Sequence, residues 1–520
     1  MPCFLPRIQC VVASCVFAAA TSLCAQFPSV LTAGYDNART TTNNGELFLI
    51  PQTVGNGNFG KVGQYAVDGQ VVAQPLYVPW AHIGKRFVNT LFVATMNNSV
   101  YAFNADQPGS APLWQVNFGP PVPNYYAGTC PANYATGAQL GILGTPVIDP
   151  DLNALYVVSA SPVPNQAAYL HTLHALDFRT GAPKHGKSML IQASVPGTGS
   201  ASVNGTVTMG QANMIQRPAL LLSGGTVYVA MGGCGPDPSP YHGWVLGYNA
   251  GNITQQTAVY NSTPDGDEGG IWQAGRGLVG DSAGSVYFET GNGTSDNQLD
   301  FGDSLVKLSP SGVLQDWFTP SDVQNLNNLD LDLSTTSPLL TPDTNLLIGG
   351  GKQGVVYVTN AGAMGHSGGA RQTFLATNSC TLSFSGCQKI HSMAYWRNLG
   401  PSQLYLWGTN DTLRAFTYTN GQFNTTPNSQ STATAGYPGG ILTVTSVLGL
   451  PGTGIVWALT PGVLHAFSAI NVANELWNSN QNSSRDALSG NFHFEQFTVV
   501  AGRVYVPDNQ NHVVVYGLLR

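Results

Sequence analysis

Leu91-Phe-Val-Ala-Thr95, then Met96-Asn-Asn98, then Ser99-Val-Tyr-Ala-Phe-Asn-Ala-Asp106 is the stretch that decides how this chain folds. Two short runs of β-branched and aromatic residues around an Asn-rich turn are hairpin chemistry. The pair recurs, opening at Leu155 and Leu173, Val227 and Trp244, Val286 and Ser304, Leu346 and Val355, Leu404 and Leu413, Ile455 and Val463, and Val504 and Val513. With the first, the copies number eight. Further strand candidates precede them, often opened by proline, as in Gln74-Pro-Leu-Tyr-Val78 and Ser337-Pro-Leu-Leu-Thr341, and Leu113–Phe118 shows a fourth strand after a copy. Four antiparallel strands recurring every ~50–70 residues predict an all-β chain, a single eight-bladed β-propeller of four-stranded blades. The runs are apolar at consecutive positions, as blades covered on both faces require. A membrane barrel would instead alternate apolar and polar residues over about ten positions. The last copy shows three strands, and Phe59–Val67 is a strand without a neighbour, so its pairing there is expected to close the ring and remove a free edge.

Composition agrees. Only 9% of the residues are charged, and 19 Lys+Arg against 26 Asp+Glu leave a net charge of −7. No basic field is available to neutralise phosphates, which excludes nucleic-acid binding, and coiled coils lack their Glu/Lys faces. Arg7 followed by the apolar run Ile8–Ala20 and by Cys24-Ala25 before Gln26 has the form of a secretory signal peptide. The expected organisation is a signal peptide over 1–25, an N-terminal extension over 26–58 and a propeller over 59–520, exported to the periplasm or outside the cell. No stretch is long and apolar enough for a membrane span. Of the eight cysteines, four lie in the signal. Cys380 and Cys387 enclose a loop short enough for a local disulfide, while Cys130 and Cys234 either pair or remain free thiols.

Val100-Tyr-Ala-Phe-Asn-Ala-Asp106 and Leu173-His-Ala-Leu-Asp-Phe-Arg-Thr-Gly181 resemble the repeat of the PQQ-dependent quinoprotein alcohol dehydrogenases over nearly the whole mature chain. That resemblance implies an eight-bladed ring with pyrroloquinoline quinone (PQQ), usually with calcium, on its axis. Thr290-Gly-Asn-Gly293 with Gly302-Asp-Ser304 is similar to a family stretch whose Asn binds calcium, and so places Asn292 as a metal ligand; an amide oxygen suits that hard cation. By itself the stretch also reads as a hairpin turn. Trp317-Phe-Thr-Pro320, Asn328-Leu-Asp-Leu-Asp332 and Gly351-Lys352-Gln-Gly354 follow the family order of aromatic run, Asp-rich stretch and Lys hairpin. The implied catalytic base is Asp330, or else Asp332, and the implied cofactor-binding cation is Lys352; the residues alone also describe a surface loop and a hairpin lysine. The chain departs from the family in three places. It has no vicinal cysteine pair, Gly232-Gly-Cys-Gly-Pro-Asp237 stands where the family has a calcium-binding Glu, and Gly275 stands where the family has its floor Trp, with Trp272 a few residues short.

Residues just before the first strand of each blade face the axis, among them Arg217, Trp272, Arg276 and His391. In a chain this poor in charge, two arginines and Lys352 around one funnel suggest an anionic ligand, unless each arginine serves backbone carbonyls between blades. Asp265-Gly-Asp-Glu268 lacks calcium-loop spacing and reads as a solvated turn. The leading expectation is a binding or scaffold propeller with a degenerate quinone site, taking a small molecule, a glycan or a protein in its funnel. A calcium- and PQQ-dependent alcohol or sugar dehydrogenase is the second, and a propeller acting on glycans the third.

Overall fold

The computed structural model describes residues 28–123, 139–166, 168–184, 188–234, 239–378, 380, 383, 385–490 and 494–519. The proposed signal peptide and Cys130 lie outside them. The opening stretch forms the predicted hairpin, with Leu91 opposite Phe103 and Val93 opposite Tyr101. It is flanked by Leu76–Ile83 and Trp114–Asn117 to complete a four-stranded antiparallel blade. Seven more such sheets follow, giving an eight-bladed β-propeller. The run Leu155–Val158 is buried at every position, because neighbouring blades cover both faces.

The last blade is built from both ends of the described chain. Thr498–Val500, Arg503–Pro507 and His512–Leu518 are joined by Phe59–Ala66, with Phe59 opposite Leu518 and Ala66 opposite His512. Phe59 is fully buried and wedged edge-on against Trp477 at 4.9 Å, beside Trp457 at 5.4 Å. Phe59→Leu is therefore expected to cost about 1.5 kcal/mol of stability from imperfect refilling of that aromatic niche. Urea unfolding followed by tryptophan fluorescence measures it; a loss below about 0.5 kcal/mol would show that the closing strand does not anchor the ring.

Residues 30–43, within the expected N-terminal extension, have a structural role that composition does not show. Val30 bridges Tyr77 of the first blade, the Leu31 carbonyl accepts Ile148 N–H of the second, and Thr32 Oγ1 donates to Leu220 of the third. Carbonyls of Asn37, Ala38, Thr40 and Thr41 then take Gly280, Leu340, Tyr395 and Val444 of the next four blades, and Asn43 reaches Val499 of the eighth. The segment thus serves the first strands of all eight blades and plugs one end of the axial channel. Left-handed φ values at Tyr35 (73°), Arg39 (56°) and Thr41 (62°) let it turn so tightly.

Cys380 and Cys387 form the expected disulfide. Cys234 is disulfide-bonded rather than a free thiol. No helix among the described residues is long and apolar enough to cross a membrane.

Candidate functional site in the axial pocket

Opposite the plug, where the chain enters each first strand, the ring leaves a pocket of about 410 Å³. Of the residues singled out in the sequence, Arg217, Trp272, Asn292, Asp330, Asp332, Lys352 and His391 line it. Arg276 does not. Its guanidinium donates to the Leu442 carbonyl and Ser392 Oγ, the inter-blade role that was the alternative for the arginines.

A short helix, Val323–Asn328, presents the acidic pair. Its Leu326 and the following Leu331 are buried in a small cluster with Cys387, backed by the Cys380–Cys387 bridge. The backbone turns at Asp330 with φ 52°. Anchoring Leu331 sends its two neighbours different ways: the Asp330 side chain is 51% exposed and that of Asp332 only 5%. Lys352 Nζ donates to Asp330 Oδ1 at 2.6 Å and forms a second, very short ion pair with Asp332 Oδ2. Asn292 ties the group together, its N–H on Asp332 Oδ1 at 2.8 Å and its Nδ2 on Asp330 Oδ1 at 3.1 Å. Asn292 Oδ1 is buried without a partner.

Burial, then the Asp332 charge, hold the Asp330 carboxyl above the usual carboxylate range, with Lys352 opposing. Burial lowers the Lys352 pKa, but Asp332 and Asp330 outweigh it and the ammonium is held above an ordinary lysine. Behind them Asp303, fully buried, accepts Leu333 N–H at 2.9 Å and is pushed well up by burial and by Asp332.

Trp272 forms another wall. Its Nε1 donates to Gly233 O at 2.6 Å. A Cβ at Gly291 would stand 2.3 Å from the indole and one at Gly270 2.6 Å from it, so both must be glycine for this close approach. Arg217 Nε donates to Trp272 O at 3.3 Å, and its guanidinium lies 4.7 Å over the Phe494 ring.

One expectation is corrected. Glu268, read as part of a solvated turn, lines the pocket. Burial and the charges of Asp267, Asp332 and Asp330 raise its pKa. Lys389, Tyr437 and Phe494 also line the pocket and were not foreseen. Lys389 and Phe494 each lie four residues before a first strand, at Met393 and Thr498, so the position that marked His391 could have marked them.

Beneath Lys352, Glu289 is fully buried and holds the hairpin. Its Oε1 accepts Gly350 N–H at 2.9 Å, and its Oε2 lies 2.9 Å from Thr336 Oγ1, whose hydroxyl also faces Gly350 O at 2.8 Å. One hydroxyl has one proton. A protonated Glu289 can donate to Thr336 Oγ1 while Thr336 donates to Gly350, which satisfies every group. Burial raises the Glu289 pKa well above the usual value. A raised folded-state pKa means stability present below the unfolded value and lost as pH rises toward the folded one. Glu289→Gln is expected to remove that part of the decline above about pH 5; unfolding free energies at pH 5, 7 and 8.5 check it, and an unchanged slope would count against a buried neutral acid.

No family model and no curated protein matches the sequence. Solved structures do. The chain is similar to quinohemoprotein alcohol dehydrogenase ADHIIG from Pseudomonas putida HK5, at 14% identity and TM-score 0.61 over 96% of this chain and 82% of that one. The quinohemoprotein alcohol dehydrogenase from Comamonas testosteroni gives 12% and 0.63 over the same shares. A europium-containing methanol dehydrogenase gives 13% and 0.60 over 96% of this chain and all of that one. At these identities the likeness shows the fold alone.

The pocket residues fit the cofactors implied by the resemblance poorly. Among the described residues no group of three His, Cys, Asp or Glu side chains is placed to hold a metal ion. The Lys352 ammonium already sits against Asp330 and Asp332, so a calcium ion on the same oxygens would meet a neighbouring positive charge. Where the resemblance expects a Trp floor for the quinone, a Cβ on Gly275 would stand 3.4 Å from Phe494 O and 3.5 Å from the Gln496 amide. Those are ordinary contacts, but the φ of 78° at Gly275 is one that a side-chain-bearing residue adopts only with strain.

Proposed function

We propose that the chain is an exported propeller that binds a small, oxygen-rich molecule in its axial pocket, with a quinone site that has lost its floor. The observation that carries this is the cluster of Lys352, Asp330, Asp332 and Asn292 on one wall of a channel plugged at its other end. Half-buried charges held this way can receive sugar or polyol hydroxyls with charge-assisted hydrogen bonds. The signal-like N-terminus and the Cys380–Cys387 bridge support export. Saturation-transfer NMR against a panel of monosaccharides, sugar acids and polyols tests the reading. Binding that disappears in Asp330→Asn is the expected result; a silent panel, or binding that survives this change, would overturn it.

One observation favours a second reading, alcohol oxidation. The residues implied as base, cation and amide ligand do converge, and Asp330 combines exposure with two donors on Oδ1. A carboxylate so held can take a hydroxyl proton, its pKa raised by burial and by the Asp332 charge with Lys352 opposing. Incubation with PQQ and Ca²⁺ followed by dye-linked oxidation of ethanol or glucose decides: turnover abolished in Asp330→Asn supports this reading, and no turnover removes it.

A further inference from the structure

The end of the ring that the plug closes carries exposed side chains that the axial pocket does not use. Each first strand runs from the pocket to the plug, so the turns joining first to second strands lie at the closed end. The first blade departs from the rest. Its first strand, Leu76–Ile83, has eight residues, where those of the other blades have two to five. The extra length carries the hairpin past the plug contact at Tyr77. A bulge between Val78 and Ala81 holds Trp80 at φ 50°, its N–H on Asn89 Oδ1 at 3.1 Å. Bulges re-aim side chains, and this one leaves Trp80 in solvent. Phe87, opposite His82, is exposed on the same hairpin. The turns of the sixth and seventh blades present Leu399 and Leu448, the latter also left-handed at φ 51°. These four side chains are 60–75% exposed. Trp80, Leu399 and Leu448 each follow within four residues of the plug-bonded Tyr77, Tyr395 and Val444.

Charge sorts with these tips. Blades six, seven, eight and one are consecutive, because Phe59–Ala66 closes the ring. Their first-to-second turns and flanking positions carry Arg397, Arg503, Lys85 and Arg86, and no acid. The corresponding turns of blades two, four and five carry Asp151, Asp281 and Asp343, and no large exposed apolar side chain. Among the described residues none of the four cations is in an ion pair. The outer turn of the first blade adds Asp106, which accepts Asn89 Nδ2 at 3.0 Å. In a chain of net charge −7 this sector is locally positive. Its apolar tips stand on separate turns, and a fluid surface can meet them all at once. Trp, Phe and Leu settle at the boundary between headgroups and acyl chains, and cations beside them are attracted to anionic lipid.

We propose that this sector of the plugged end docks on an anionic lipid surface, with Trp80 and Phe87 entering the headgroup layer and Lys85 and Arg86 beside the phosphates. Co-sedimentation tests it, using the chain freed of its expected signal peptide, residues 26–520. The vesicles are phosphatidylglycerol and phosphatidylcholine in equal parts, and phosphatidylcholine alone. Binding to the mixed vesicles is expected, and at least about tenfold weaker binding to phosphatidylcholine. Trp80→Ala with Phe87→Ala, and separately Lys85→Gln with Arg86→Gln, should each weaken it about tenfold or more. All four side chains are exposed, so the urea midpoints of both variants should match the parent's. Equal binding to the two kinds of vesicle, or binding that survives the Trp80 and Phe87 changes, would overturn the proposal. So would no binding to either, or a dimer that the same changes dissolve, since a second copy would then cover the face.

Discussion

Arg39→Ala is expected to remove about 4 kcal/mol of folding stability, the largest loss from a single side chain outside the pocket. The guanidinium is buried in the plug and spends its fork on several elements at once. Nε donates to Leu278 O at 2.8 Å, Nη1 to Thr32 Oγ1 and Ala33 O at 2.6 Å, and Nη2 to Leu220 O at 3.1 Å. Burial lowers its pKa to about 10 even with Asp36 close by, so it stays charged at neutral pH. Alanine would strand carbonyls of the third and fourth blades in a space water enters poorly, and would leave Asp36 without its cation. Lysine would keep the charge but not the fork, and should recover only a minor part. Equilibrium urea unfolding measures both variants. A loss under about 1 kcal/mol for Arg39→Ala would mean that the plug rides on the ring without bracing it.

Lys352→Met should be nearly as costly, about 3 kcal/mol at pH 8, and should abolish ligand binding with it. The change leaves the buried Asp332 and the half-exposed Asp330 facing each other, with Asp303 behind, and no counter-ion between them. Solvent screens part of the Asp330 contribution, so most of the cost falls on the buried side. The pH dependence has a definite sign. The Asp303 and Asp330 carboxyls are already raised by burial and by the Asp332 charge, and losing the ammonium raises them further. The folded variant then holds more protons than the unfolded chain from about pH 4 upward, so its stability falls as pH rises. The deficit against the parent should be smaller at pH 5 than at pH 8. An equal deficit at both would show that the ion pairs, not the carboxyl protonation they control, account for the loss.

The two predictions differ in how far they could be read without coordinates. The order of short motifs brings out Asp330 and Lys352 by resemblance, and nothing in the sequence separation of 22 says that their side chains meet at 2.6 Å. Arg39 carried no signal at all: a lone arginine in a polar segment gives no period and no motif. Glu268 misled, because an Asp-Gly-Asp-Glu run looks solvated wherever the chain beyond it is unknown. That Gly275 lies against Phe494 and Gln496 depends on a blade more than two hundred residues away.

What the sequence by itself determined is the repeat and everything local that follows from it. Strand length, turn position and apolar runs on consecutive residues are properties of neighbouring positions, and they give eight blades and the closing strand at Phe59–Ala66. What only the tertiary structure decided is the axis. There the plug closes one end, Arg276 turns to a backbone carbonyl while Arg217 turns to the pocket, and Asn292 and His391 come to line one cavity. The physical reason is that a propeller brings one short segment from each blade to a common centre. The chemistry of that centre is set by distances between residues that no local pattern connects.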